Sequence, residues 1–248
     1  VTAAGLAGHA AEESPLPAPR IVRGKVHMQP PKLPAVDGVT LTRETYPRTS
    51  GSTSAEPMGV WVACRVLGMN CAWSRARWSR EMRLCPVKPG SDTSQPLNEI
   101  VDTKLYRGKI IHIGTHGAYK RLIAGKADLI YECRRPSEDE RKALAAKRVE
   151  LDIRPVALDA FVFLRHTDNP VKGLTLEQIK DIYTAEDDGR GKIKMWSAVG
   201  GEERPVRALT RNHNSGSQET MESLVMKDRT MVSAPSMVGG GMAGPYNL

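Results

Sequence analysis

Lys109-Ile-Ile-His-Ile-Gly-Thr-His-Gly-Ala-Tyr-Lys-Arg-Leu-Ile-Ala-Gly-Lys-Ala-Asp-Leu-Ile-Tyr131 reads as a strand, a turn of small residues, a short helix and a second strand. The apolar runs Lys109 to Ile113 and Ala127 to Tyr131 are short, as strands buried on both faces of a sheet are. Between them Ala118 to Ala124 carries a helical pattern, opened by Gly114-Thr-His-Gly117. Two strands joined by a helix form the repeating unit of a mostly parallel sheet, so the chain is predicted to be α/β.

The same alternation extends in both directions. Strands are expected at Val39 to Arg43, Ala160 to Leu164 and Val206 to Thr210, and helices at Glu56 to Leu67, Glu138 to Lys147, Leu176 to Tyr183 and Gln218 to Lys227. Helix starts are well marked: a Ser or Thr three residues before a Glu or Gln, the spacing of a capping box, occurs at Thr53/Glu56, Ser137/Glu140, Thr175/Gln178 and Ser215/Gln218. A boundary near Glu150 to Pro155 divides the chain into a flexible segment at 1–37, a first α/β lobe at 38–152 and a second at 153–248 that includes a Gly-rich tail.

With 248 residues and 40% apolar composition there is enough chain to bury a core in each lobe. No run of about 18 or more apolar residues occurs, so no membrane-crossing helix is predicted. The first 35 residues, rich in Ala, Pro and Gly, fit the mature start of an exported protein or an expression remnant. A formal charge of +8 attracts anions in general. The basic stretch Trp73-Ser-Arg-Ala-Arg-Trp78-Ser-Arg80 interleaves aromatic and cationic side chains as a single-strand nucleic-acid surface does. With four Trp, six Tyr and two Phe in the chain and no nucleic-acid motif, a solvated or partly packed face is expected there. Cys64, Cys71, Cys85 and Cys133 form no CxxC pair, and free or structural thiols are expected.

Three clusters of small and hydroxyl-bearing residues open helices: Gly51-Ser-Thr-Ser54, Gly114-Thr-His-Gly117 and Asn214-Ser-Gly-Ser217. The first N–H groups of a helix lack internal partners and carry the positive end of its dipole, so each start is a candidate anion site. Arg211 precedes the third cluster and supplies a planar, bidentate donor. Catalytic alternatives lack their residues: there is no GxxxxGK[ST] loop, no GxSxG elbow and no HExxH pair. His112 and His116 straddle a strand-to-loop junction and do not share a helix face, so neither a metal nor a cofactor is expected.

From about Tyr46 to Lys227 the sequence resembles the phosphate ABC-transporter substrate-binding proteins, a branch of the periplasmic-binding-protein superfamily. The resemblance is carried by the three clusters together with Leu122-Ile-Ala-Gly-Lys-Ala-Asp-Leu-Ile130, Pro155-Val-Ala-Leu-Asp-Ala-Phe-Val-Phe163, Leu174-Thr-Leu-Glu-Gln-Ile-Lys-Asp-Ile-Tyr183 and Arg211-Asn-His-Asn-Ser-Gly-Ser-Gln218. It implies a two-lobed type II fold that closes on phosphate or a related oxyanion and delivers it to a membrane permease, as an exported, non-enzymatic monomer with no nucleic-acid partner. By the same resemblance Ser52, Thr53, Ser54, Thr115 and His116 are first-lobe ligand residues, and Arg211, Ser215, Gly216 and Ser217 second-lobe ones. A sensor, or a receptor for sulfate, molybdate or a phosphonate, is the alternative in the same fold, and an anionic-surface binder working through Trp73 to Arg83 the alternative of another class.

Two departures stand out. Phosphate receptors place an Asp shortly before a Pro in the first lobe, where it accepts the ligand's proton; aligned on Pro136, this chain has Arg134 there. Glu132 is a candidate substitute acceptor, and Arg134 is expected to strengthen binding to any dianion without discriminating. In the family the polypeptide also crosses back to complete the first lobe, so a sequence ending at Leu248 is expected to lack that lobe's last strand and helix.

Overall fold

The computed structural model describes residues 40–75, 82–92 and 95–232. The segment 1–37, position 39, much of the basic stretch from Trp73 to Arg83 and the Gly-rich tail lie outside the described residues.

The chain enters through β1 (Thr49–Gly51), which is buried along its whole length, and continues into α1 (Glu56–Val66). An antiparallel pair follows, β2 (Cys71–Arg75) and β3 (Met82–Pro86), with Ala72 opposite Cys85 and Trp73 opposite Leu84. Two short helices, α2 (Leu97–Ile100) and α3 (Thr103–Gly108), lead to β4 (Ile110–His112). The α3 start is capped by Asp102, whose carboxylate accepts from the Leu105 N–H at 3.0 Å and pairs with Arg43. After β4 come α4 (Thr115–Ile123), β5 (Leu129–Tyr131) and α5 (Glu138–Ala146).

β1 pairs in parallel with β4 on one side and β5 on the other, Gly51 standing level with His112 and Tyr131. All three strands therefore deliver the chain to the same edge, and each is followed by a helix that starts there. In open parallel sheets that carboxyl edge is where ligand crevices form. The core beneath joins Val60, Ala63 and Cys64 of α1 to Tyr46, Met69, Cys71, Leu84, Leu105 and Ile110. Each large side chain fully removed from water there contributes roughly 1.5–3 kcal/mol. Trp73 packs partly against this cluster.

Beyond α5 the described chain holds α6 (Leu176–Tyr183), a single 3₁₀ turn (Trp196–Val199) and α7 (Gly216–Thr220), which runs straight into one wider turn at Met221–Met226. Met221, Val225 and Met226 pack with Ile179, Tyr183 and Met231. No helix among the described residues is long and apolar enough to cross a membrane.

Several expectations need correction. Residues 40–43 form no strand. Ala160 to Leu164 and Val206 to Thr210 are not strands either, and Val156, Leu158, Val162 and Leu164 are exposed. A strand needs a neighbour to satisfy its backbone, and among the described residues this part of the chain makes only isolated bridges, such as Thr184 with Met231 and Met195 with Pro205. The helix predicted from Ala118 begins at Thr115, and the one predicted from Gln218 begins at Gly216.

Candidate functional site

At the carboxyl edge of the sheet lies a cleft of about 240 Å³, lined by Ser52, Thr53, Ser54, Thr115, His116 and Cys133 on one side and by Arg211, Ser215, Gly216 and Ser217 on the other. All nine residues singled out in the sequence face this one space. Cys133, Ile113 and Asn212 line it as well; Cys133 and Ile113 were not singled out because thiol and apolar side chains carry no anion signal, and Asn212 because it was read only as part of the loop beside His213.

Three helix starts meet here. α1 has Ala55 as its N-cap and no side-chain cap, so the expected Thr53/Glu56 box does not form. Instead the Ser52 hydroxyl accepts from the Ala55 N–H at 3.3 Å. α4 also lacks a side-chain cap; its N-cap is Gly114, at φ 78°, a left-handed conformation that glycine reaches without penalty. At the third start the Ser215 hydroxyl accepts from the Gln218 N–H at 3.2 Å, which leaves the Ser215 proton to be donated. The Gln218 side chain turns away from its own cap and accepts from the Arg211 N–H at 2.9 Å, tying Arg211 to the helix it precedes. Burial lowers the pKa of the Arg211 guanidinium, which stays a cation.

Thr53 is set from outside the cleft. Its Oγ1 lies 2.8 Å from His112 Nε2, and Arg83 Nη1 donates to His112 Nδ1 at 3.1 Å. A guanidinium only donates, so Nδ1 holds the lone pair, Nε2 carries the proton and Thr53 accepts it. The Thr53 hydroxyl hydrogen is thereby left for the cleft. Glu56 anchors Arg83 at 3.5 Å and also accepts from the Tyr106 hydroxyl. His112 and His116 thus serve separate networks, and His116 Nδ1 donates to Glu140 Oε1 at 2.9 Å.

Arg134 is the main correction to the sequence reading. It does not line the cleft. Its guanidinium donates to both Glu140 oxygens, at 2.7 and 3.0 Å, to the Arg135 carbonyl and, at 2.9 Å, to the Asn214 carbonyl. Its charge is therefore committed to Glu140 and cannot serve as an extra anion donor. Asp139 joins the same loop, meeting His213 Nε2 at 3.1 Å and accepting from the Asn214 amide at 3.3 Å. Cys133 is an exposed free thiol beside Ser54, whose hydroxyl donates to it at 3.2 Å; Cys64, Cys71 and Cys85 are buried and free.

The two sides of the cleft meet closely at Gly216, where an added Cβ would stand 2.7 Å from the buried Thr115 Oγ1. Gly216→Ala is expected to hold the helix starts apart and weaken anion binding at least about tenfold, since roughly 1.4 kcal/mol corresponds to that factor; titration calorimetry against the wild type checks it.

Comparison with known proteins bears on the fold. A family model described as a PBP superfamily domain matches residues 101–246. The phosphate-binding protein PstS of Pseudomonas aeruginosa is 33% identical over 110 residues, which are 42% of this chain and 34% of that protein. SphX of Synechococcus elongatus is 26% identical over 148 residues, 56% of this chain and 43% of SphX. These matches take in less than half the length of either relative. A Clostridium perfringens structure with bound phosphate, provisionally named a phosphate ABC transporter substrate-binding protein, superposes with a TM-score of 0.50 at 21% identity, covering 80% of this chain and 63% of that one. The shared architecture is the periplasmic-binding-protein fold, and the chain belongs to the PBP superfamily.

Proposed function

We propose that this chain is an extracytoplasmic solute-binding protein that captures inorganic phosphate, or a similar tetrahedral oxyanion, and hands it to an ABC permease without chemical change. The observation that carries the reading is the convergence of three helix starts, five Ser or Thr residues besides Ser217, and Arg211 on one cleft. Backbone N–H groups, hydroxyls and a guanidinium are the donors a tetrahedral anion needs. Residues 38–152 and 153–248 are the two lobes in this reading, acting as a monomer and closing on the ligand by hinge motion. Export follows from the role. The names of the relatives, phosphate-binding in one case and a phosphate-bound structure in another, support phosphate as the first ligand to test.

The test is calorimetric titration of the dialysed protein with phosphate, and in parallel with sulfate and molybdate. One-to-one phosphate binding with a weak sulfate response is expected. Preference for sulfate or molybdate would reassign the ligand, and heat from none of the three would overturn the reading.

A further inference from the structure

Glu132 follows β5 directly and sits behind the cleft. Because Gly51 stands level with Tyr131, and the Ser52 N–H donates to the Tyr131 carbonyl at 3.2 Å, Ser52 and Glu132 are the next residues along the same ladder. Both Glu132 carboxyl oxygens are buried and neither closes a hydrogen bond. A buried carboxyl that closes no hydrogen bond is costly as an anion, and such groups are rare enough to call for a reason.

The groups around it come from every neighbouring element. Ser52 approaches from the turn after β1, Thr115 and Tyr119 from α4, Glu140 from α5, and Cys133 and Arg134 from its own segment. Arg134, the cation that acts on it, is held by Glu140 and the Asn214 carbonyl. Burial raises the Glu132 pKa to about 7; the Thr115 hydroxyl, Arg134 and the Ser52 hydroxyl restrain the rise, and Glu140 adds to it. Ser52 and Thr115 themselves line the cleft.

Resting on the oxyanion reading above, we propose that Glu132 makes anion capture proton-linked: as a neutral acid it leaves the Ser52 and Thr115 hydroxyls to donate into the cleft, and as a carboxylate it draws those donors back. A protonated carboxyl has an O–H to give and needs no hydrogen from its neighbours, whereas the ionised form only accepts. Ionisation also places a negative charge beneath the bound anion in a poorly solvated site, where repulsion is strong. The two effects act in the same direction. Anion binding and Glu132 protonation therefore reinforce each other, and reciprocity requires that a bound anion raise the Glu132 pKa further.

The experiment is calorimetric titration of the whole chain with inorganic phosphate from pH 5.5 to 9, in two buffers of different ionisation enthalpy, for the wild type and Glu132→Gln. Phosphate's own titration is common to both proteins and cancels in the difference. Above pH 7 the wild type is expected to lose affinity relative to the Gln variant by up to about tenfold per pH unit, and to take up as much as one more proton per phosphate. A carbon-13 NMR titration of the Glu132 carboxyl in the wild type, with and without phosphate, reads the same coupling without substitution; phosphate must move its midpoint upward. Parallel pH profiles in the two proteins, or an unmoved midpoint, would overturn this proposal and leave the oxyanion reading standing. Absence of phosphate binding in both proteins at every pH would overturn the two together.

Discussion

Arg211→Ala is expected to weaken phosphate binding by about 2–4 kcal/mol, roughly 30- to 900-fold. Arg211 lines the cleft and its backbone is fixed to Gln218, so the guanidinium starts from a set position. Its burial lowers the pKa of the cation, because desolvation disfavours the charged form. An anion supplies what burial removed, and the planar fork meets two oxygens at once. Arg211→Lys should recover only part of the affinity, because an ammonium cannot span two oxygens. Calorimetric titration of both variants measures this, and a loss below about 0.5 kcal/mol for the Ala variant would remove Arg211 from the site.

The second large effect is on stability. Arg134→Ala is expected to destabilise the protein by about 3–5 kcal/mol, because it strips the partner from a carboxylate that cannot reach water. Glu140 is 1% exposed and Arg134 7%. Glu140 also accepts from the Ser137 N–H at 2.8 Å to complete the capping box of α5, and from His116, so its charge has three sets of donors and no solvent. Those donors hold its pKa below the ordinary carboxylate value against the opposing effect of burial. A depressed folded-state pKa contributes stability that is present above the ordinary value, about 4.3, and is lost as pH falls below it. Urea unfolding from pH 3 to 7 should show that acid loss in the wild type and a flatter profile in Arg134→Ala. Unchanged stability at pH 7 would mean that Glu140 finds water the structure does not grant it.

What the sequence revealed, and what it withheld, divides along the range of the interactions. Helix starts are local, and Ser137 and Thr175 cap as their spacing predicts, with both capping boxes complete. The helix Leu176–Tyr183 has the predicted ends. β4 and β5 were legible from their apolar runs. β1 was not, because a central strand reading Thr-Ser-Gly is buried without being apolar. The β2–β3 pair hid inside a stretch whose charges drew attention to its surface. The run from Ala160 to Leu164 was misread for the opposite reason: its composition suits a strand, but composition does not provide a neighbour. The candidate site was legible as three clusters because each depends on a helix start. The long-range bonds were not: nothing local couples His112 to Thr53, fifty-nine positions away, or ties Arg134 to the Asn214 carbonyl, eighty positions away.

The placement of three helix starts at one sheet edge has an evolutionary consequence. Much of the frame around the cleft is main chain, which every amino acid except proline supplies alike. Mutational drift can therefore exchange one hydroxyl for another without dismantling the frame. Proteins built this way should diverge in the side chains that face the cleft long before they lose its backbone frame.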